Sequence, residues 1–461
     1  MFKRVGMMLF LMIPFLLSIT FVVVRAEEAN TQSDYIGADD GEDDADKRLE
    51  VGEVFTKTVE TKHTISMGDA GFANLNGNDI IFTFRVTKSA KDGVGEVELI
   101  RFFEDPKKLN RLKKKWKFFK NKKREDYITF KDDTVRYGGE TFRFTAIGRR
   151  AFANCKNNYV EVAGKYLERI DDEAFAGCRG KGDVTIRAKK LKEIGSRVFA
   201  NTTADIEIEE AKSLEKIGSC AFENTVNVEL TSSIKTIGSD VFRNCKGSLH
   251  LILDGLQEID NKMFSQCKNL KELYIEGENI KKITGKPFIH CKKLKELIIC
   301  GDNKIKSISR GGLAVGSKSY KMELSINKIK RFSHDMFAGC RNATELYIVG
   351  YGVKKIDNRA FSDCKKLKAI EFYSKNLNTI GHRIFAGCKK LKRVSVTGLH
   401  KLKTVKGDAL KGASSKSRFY ATSKKAKALM LKGKGMQIWW ESYAVAHSGG
   451  MLGPSGRFRK I

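Results

Sequence analysis

The most reactive side chains in this sequence belong to ten cysteines. Eight of them, Cys155, Cys178, Cys245, Cys267, Cys291, Cys340, Cys364 and Cys388, each follow a phenylalanine by three positions. Zinc sites built from thiolates draw on cysteine pairs two residues apart, and no two cysteines here have that spacing. Disulfides are the other option. Stacked turns would bring equivalent Cα atoms within roughly 5 Å, close enough to bond, yet side chains pointing inward in parallel do not present the ~90° torsion a disulfide needs. A free thiol also packs as a small apolar group. Thr202 and Thr225 take the same position in two further units, which suits a packing slot. Buried unpaired thiols are expected, with a disulfide framework as the alternative. Cys220 and Cys300 fall off the column, and Cys300 is expected to face outward.

Other catalytic patterns are missing from the sequence. There is no G-x-S-x-G elbow, no H-E-x-x-H and no phosphate-loop lysine motif. Gly311–Ser319 has a similar composition, but Gly316 is followed by Ser317 before Lys318, so an irregular loop is the better account. His250, His290, His334 and His382 stand in different slots without a shared nucleophile or orienting partner. An enzyme would need a site in residues 51–145. No catalytic activity, metal or cofactor is expected.

Charge offers binding chemistry instead. The chain carries 86 Lys and Arg against 55 Asp and Glu, a formal net charge of +31. A base follows each column cysteine: Lys156, Arg179, Lys246, Lys268, Lys292, Arg341, Lys365 and Lys389. Stacking would turn these into a ladder along one edge, either a solvated flank or a track for polyanions. A denser patch comprises Lys107, Lys108, Arg111, Lys113, Lys114, Lys115, Lys117, Lys120, Lys122, Lys123 and Arg124. Asp105 and Pro106 suit a helix start, and Leu109, Leu112, Trp116 and Phe119 then share one face. That helix either docks on its neighbours or binds an anionic surface. An acidic glycan or cell-wall polyanion is one candidate partner. No nucleic-acid module accompanies the charge, so no sequence-specific nucleic acid is expected.

The elements that position these residues are repeats. Phe152, Phe175, Phe199, Phe222, Phe242, Phe264, Phe288, Leu313, Phe337, Phe361, Phe385 and Leu410 recur at steps of 20 to 25 residues. Each unit holds a short strand, a turn, an Ile-Gly or Ile-Asp step, then the phenylalanine and cysteine. Leu270, Leu273 and Ile275 give the strand spacing L-x-x-L-x-L, repeated at Leu294, Leu297 and Ile299. One such unit cannot cover its own apolar side, so about 12 must stack and share a core. Three separate globular domains are excluded.

The frame Ile380-Gly381-His382-Arg383-Ile384-Phe385-Ala386-Gly387-Cys388-Lys389-Lys390-Leu391 resembles the BspA-type leucine-rich repeat proteins. The resemblance spans roughly residues 141–413. It implies a right-handed leucine-rich repeat solenoid with a parallel β-sheet, and a secreted or cell-surface protein. It further implies adhesion or binding to extracellular or host protein, with no shared catalytic residues. The pattern is broken at Thr202, Thr225 and around Leu313, where looser units are expected.

Between the inward residues of the strands lie Glu272, Tyr274 and Glu276, then Glu296 and Ile298, then Glu345, Tyr347 and Val349, then Glu371 and Tyr373. Columns of Tyr and Glu on a rigid, concave scaffold suit protein recognition. Tyr274, Ile298 and Tyr347 are expected to share one outward column.

The ends differ in kind. Lys3, Arg4, the apolar run 7–24 and Val24-Arg25-Ala26 read as a secretory signal peptide over residues 1–26, with an uncleaved anchor as the alternative, and cleavage would leave no transmembrane span. Residues 27–50 are an acidic linker too charged to bury. Residues 51–140 alternate as β-strands and serve as an N-terminal cap or a small module. Residues 414–445 are assigned to a C-terminal cap with a short Lys-rich helix, and residues 446–461 to a loose tail.

Overall fold

The computed structural model describes residues 49–104 and 127–421, apart from 67–71, 91–92, 138, 157–158, 181 and 302–303. It also places short strands at 26–27, 437–439, 450–452 and 458–460. The signal segment, most of the acidic linker, the basic segment 107–124 and most of the tail lie outside the described residues.

In each repeat, alternation of apolar and polar residues makes a strand with one face inward. Glu272–Glu276 buries Leu273 and Ile275 and leaves Glu272, Tyr274 and Glu276 half-covered. Such strands pair in parallel, each with the next coil, into one 14-stranded sheet from Tyr127–Phe130 to Gln437–Trp439. The Ile-Gly or Ile-Asp step forms a second, two-residue strand in every coil. These short strands pair into a narrow ladder opposite the broad sheet, interrupted after Thr236–Ile237 and after Ser307–Ile308. The result is a parallel β-solenoid of about 11 turns, with a single 3-10 turn at Leu399–Lys401 as the helical element among the described residues.

Two backbone requirements explain the repeat's small residues. Stacked coils approach so closely at the Ile-Gly step that a Cβ on Gly218 would meet the Gly195 carbonyl carbon and the Ser196 nitrogen at 2.5 Å. The residue before the cysteine or threonine of the column is left-handed in most units. Asn154, Asn201, Asn224 and Asn244 hold φ between 56° and 63° there, which asparagine tolerates better than most side chains. Their amides also join coils, with Asn224 Nδ2 donating to Asn201 Oδ1 at 2.7 Å.

The repeat phenylalanines stack through the interior. Phe152 and Phe175 lie 4.8 Å apart and within 2° of parallel, and the run continues through Phe199, Phe222, Phe242 and Phe264 to Phe288. It stops at Leu313 and resumes from Phe337 through Phe361 to Phe385. The unit at Leu313 instead buries the ring of Tyr320.

The N-terminal strands Val54–Ser66, Phe72–Lys88 and Gly95–Glu104 form an antiparallel meander. Gly95–Glu104 pairs in parallel with Glu140–Ile147, which pairs with the first short strand, Arg169–Ile170. Tyr127–Phe130 meanwhile pairs with Tyr159–Ala163, so both sheets of the first coil are hydrogen-bonded to this segment. Glu98, 7% exposed, links the parts by accepting from Arg85 at 3.0 Å and Arg169 at 3.3 Å. One continuous apolar core runs from Leu49 to Phe419.

Candidate binding surfaces

All eight column cysteines are buried, and no disulfide joins the ten thiols. In most coils a backbone carbonyl of the preceding coil faces this slot. The thiols of Cys178, Cys245, Cys267 and Cys388 donate to the carbonyls of Phe152, Phe222, Phe242 and Phe361 at 2.9 to 3.2 Å. Thr202 fills the slot with a hydroxyl that donates to the Phe175 carbonyl at 3.0 Å. The position therefore selects a small side chain with one donor, which explains why threonine and not valine replaces cysteine. Burial pushes the Cys340 thiol up to about 12, and burial together with the Cys267 contact raises Cys245 well above the ordinary thiol value. The Cys340 and Cys245 thiols are therefore structural and stay protonated at neutral pH.

The broad sheet carries the Tyr and Glu positions. Strand register aligns Glu229, His250, Tyr274, Ile298, Glu323, Tyr347, Glu371 and Ser395 in its central outward column. Tyr274, Ile298 and Tyr347 thus share the column, but Glu323 separates the last two. Tyr347 shows only 8% of its surface, so it is less available than alternation implied. Neighbours three to a strand pave the face tightly enough that Glu272, Tyr274, Glu276, Glu296, Ile298, Glu345, Glu371 and Tyr373 are all half-buried. Tyr373 aligns with Val349 in the flanking column rather than with Tyr347.

Tyr274 is the most firmly held of these side chains. Its hydroxyl donates to Glu276 Oε2 at 2.6 Å and accepts from the outward Cys300 thiol at 3.0 Å. His250 meets the ring edge-on at 4.3 Å. Burial, reinforced by the Cys300 and Glu276 contacts, raises the phenol well above its ordinary value, so it remains a donor. Several acids are committed across coils: Lys321 pairs with Glu345 at 2.9 Å, Arg393 pairs with Glu371, and Ser248 donates to Glu272 at 3.2 Å.

Sequence reasoning missed two parts of this face. His250 and Ile252 extend the aromatic and apolar stretch by one coil, and the alternation of Ser248–Leu253 was the available signal. Asp183, Asp205, Glu207, Glu209 and Glu229 make the earlier strands acidic although the whole chain is basic. Burial and then Asp205 raise the Asp183 carboxyl, while burial and neighbouring acids raise Glu207. Arg187 bridges this region by pairing with Glu161 and, at 2.6 Å, with Glu209.

On the flank, Lys156, Arg179, Lys246, Lys268, Lys292, Arg341, Lys365 and Lys389 are all exposed. None of the eight enters an ion pair among the described residues. The denser segment containing Lys107, Lys108, Arg111, Lys113, Lys114, Lys115, Lys117, Lys120, Lys122, Lys123 and Arg124 lies outside the described residues. Among the described residues no group of three His, Cys, Asp or Glu is placed to hold a metal ion, and no helix is long and apolar enough to cross a membrane.

A parallel sheet of L-x-x-L-x-L strands closed by a short second ladder defines a leucine-rich repeat solenoid. The chain belongs to the family described as the BspA type leucine rich repeat region, whose model matches residues 112–226, 192–312 and 316–426. Among solved structures it is similar to the pneumococcal vaccine antigen PcpA, at 18% identity over 78% of this chain and 97% of that one, with a TM-score of 0.33. It is also similar to a leucine rich cell surface protein from Faecalibacterium prausnitzii, at 18% identity over 79% and 94% of the two chains and a TM-score of 0.26. A leucine-rich repeat protein from Bacteroides ovatus gives 17% identity over 78% and 98%, also at 0.26. No curated protein matches the chain.

Proposed function

We propose that this protein is a non-catalytic scaffold, secreted or held at the cell surface, that binds an extracellular protein through its broad sheet. The observation that carries the reading is the pinned, half-buried Tyr274, flanked in register by His250 and Ile298. A rigid aromatic side chain with a fixed polar end loses little entropy on contact and is the side-chain type most enriched at interface centres. The surface family to which the chain belongs supports an extracellular setting.

The test is replacement of Tyr274 and Ile298 by Ala, followed by pull-down of extracellular proteins with the otherwise intact chain. Capture should fall at least tenfold, and wild-type capture should change little between low and physiological salt, as befits an apolar-centred contact. Capture that survives the double change refutes the sheet-face reading. A second reading, polyanion contact at the flank, is supported by the eight exposed bases without acidic partners. It requires binding that weakens steeply with salt.

A further inference from the structure

A different edge of the solenoid carries a charge pattern that changes partway along. In every coil one residue precedes the short strand, and within each run of the ladder its backbone N–H donates to the equivalent residue's carbonyl in the coil before. Successive members of one run are Glu168, Lys192, Glu215 and Lys235. Signs alternate, and the column neutralises itself: Lys192 pairs with Glu168 at 2.7 Å and Lys235 with Glu215 at 2.5 Å. From Gln257 onward the acids disappear. The equivalent residues are Lys281, Lys306, Lys330, Lys354, Asn378 and Lys403. None of these lysines has a carboxylate partner among the described residues. Neighbouring like charges at the ~4.8 Å spacing of strands repel, so this half of the column is held against its own electrostatics.

Its far end opens into a depression of about 500 Å³ lined by Lys354, Asn376, Asn378, His400, Lys401 and Lys403. No carboxylate lines it. Lys401 Nζ donates to Asn376 Oδ1 at 2.8 Å, and Asn376 Nδ2 donates to the Tyr351 carbonyl at 2.8 Å, which fixes the first ammonium in place. The Asn378 Oδ1 accepts from Thr379 Oγ1 at 2.9 Å, so the hydrogen-bonding capacity Asn378 has left to offer a ligand is mainly its amide N–H groups. What remains toward solvent is three ammonium groups, an imidazole and an amide donor. Such a set matches an oxyanion that brings only acceptors.

We infer that Lys354, Lys401, Lys403, Asn378 and His400 form a binding site for a sulfate or phosphate group of a linear polyanion, whose chain continues along Lys330, Lys306 and Lys281. The site is separate from both the broad sheet and the post-cysteine flank, so it stands or fails independently of the protein-binding reading.

The experiment measures binding of the full chain to short dextran sulfate and to linear polyphosphate of matched charge, with uncharged dextran as the blank. One variant replaces Lys354, Lys401 and Lys403 by Gln. Its control replaces Lys192, Lys216 and Lys235 by Gln, removing the same net charge from the self-neutralised half. The site variant should weaken binding at least tenfold and lower the slope of log affinity against log salt by about two to three, because each engaged ammonium releases close to one counterion. The control should change affinity by less than about threefold, since its lysines are already paired. Preference for one probe tells whether the site takes sulfate or phosphate. Equal loss in both variants would mean that net charge alone governs binding, and unchanged binding in the site variant would place it elsewhere; either overturns the assignment. Lys354→Glu supplies a second check, because it restores the alternating pattern beside Lys330. It should leave folding intact while abolishing binding, and retained binding in that folded variant refutes the site.

Discussion

Phe199 offers the sharpest test of what holds the coils together. Its ring is fully buried, 5.3 Å from Phe175 on one side and 5.3 Å from Phe222 on the other, within 16° and 12° of parallel. Phe199→Ala should cost about 3–5 kcal/mol, the usual range for deleting a buried ring. Two ring contacts at ~0.5–1.5 kcal/mol each contribute about 1–3 kcal/mol of it. Phe199→Leu keeps most of the volume and forfeits the stacking, so about 1–3 kcal/mol is expected. Phe385 has one stacked neighbour, Phe361 at 5.5 Å, and a tilted contact to Phe419 at 6.3 Å. Phe385→Leu should therefore cost roughly half as much as Phe199→Leu. Chemical denaturation followed by circular dichroism gives the energies, and hydrogen exchange gives their location. Because a solenoid couples only neighbouring coils, lost protection should centre on residues 175–222 and fade outward. Equal costs for the two leucine variants, or uniform loss of protection along the chain, would refute nearest-neighbour ring stacking as the source of coil cohesion.

Other consequences are as direct. Cys267→Thr should be tolerated within about 0.5 kcal/mol, whereas Cys267→Val should cost about 0.5–1.5 kcal/mol by removing one of the two donors to the Phe242 carbonyl, which keeps the Cys245 N–H, both read from denaturation midpoints. In native protein at neutral pH, Cys220 and Cys300 should react with a thiol reagent well before the eight column cysteines, which should label only on unfolding; rapid labelling of Cys340 would contradict its upward shift to about 12. Glu207 has its carboxyl raised above 4.5 by burial and then by neighbouring acids, so the folded state binds its proton more tightly than the unfolded state does. Stability should then fall as pH rises from 4.5 through the folded value. Glu207→Gln should raise the melting temperature at neutral pH, with the gain vanishing below 4.5.

The broad sheet was legible because alternation in residues such as Leu273 and Ile275 is a local signal that fixes which face turns inward. The alternation read over residues 51–140 is observed as strands that include Phe72–Lys88, Gly95–Glu104 and Tyr127–Phe130. The second ladder was not legible as strand. Two residues such as Lys216–Ile217 are too short to show a period, and only stacking gives them partners. The cysteine slot was read as apolar packing, and its hydrogen bond was missed because the acceptor comes from the preceding coil. Exposure on the sheet face was overread at Tyr347, since alternation tells direction but not how closely neighbouring columns crowd. The lysine column at 281–403 escaped notice because its positions are 24 or 25 residues apart and gain meaning only in register.

The coil at Leu313 is joined to its neighbours unequally. There the narrow ladder is interrupted between Ile308 and Arg331 and the ring stack between Phe288 and Phe337, while the broad sheet passes through unbroken. A load drawn between the two ends will part the molecule at this joint first, swinging it open about the broad sheet as about the spine of a book. Extension under tension is thereby confined to the side away from that sheet, and anything gripped there keeps its hold.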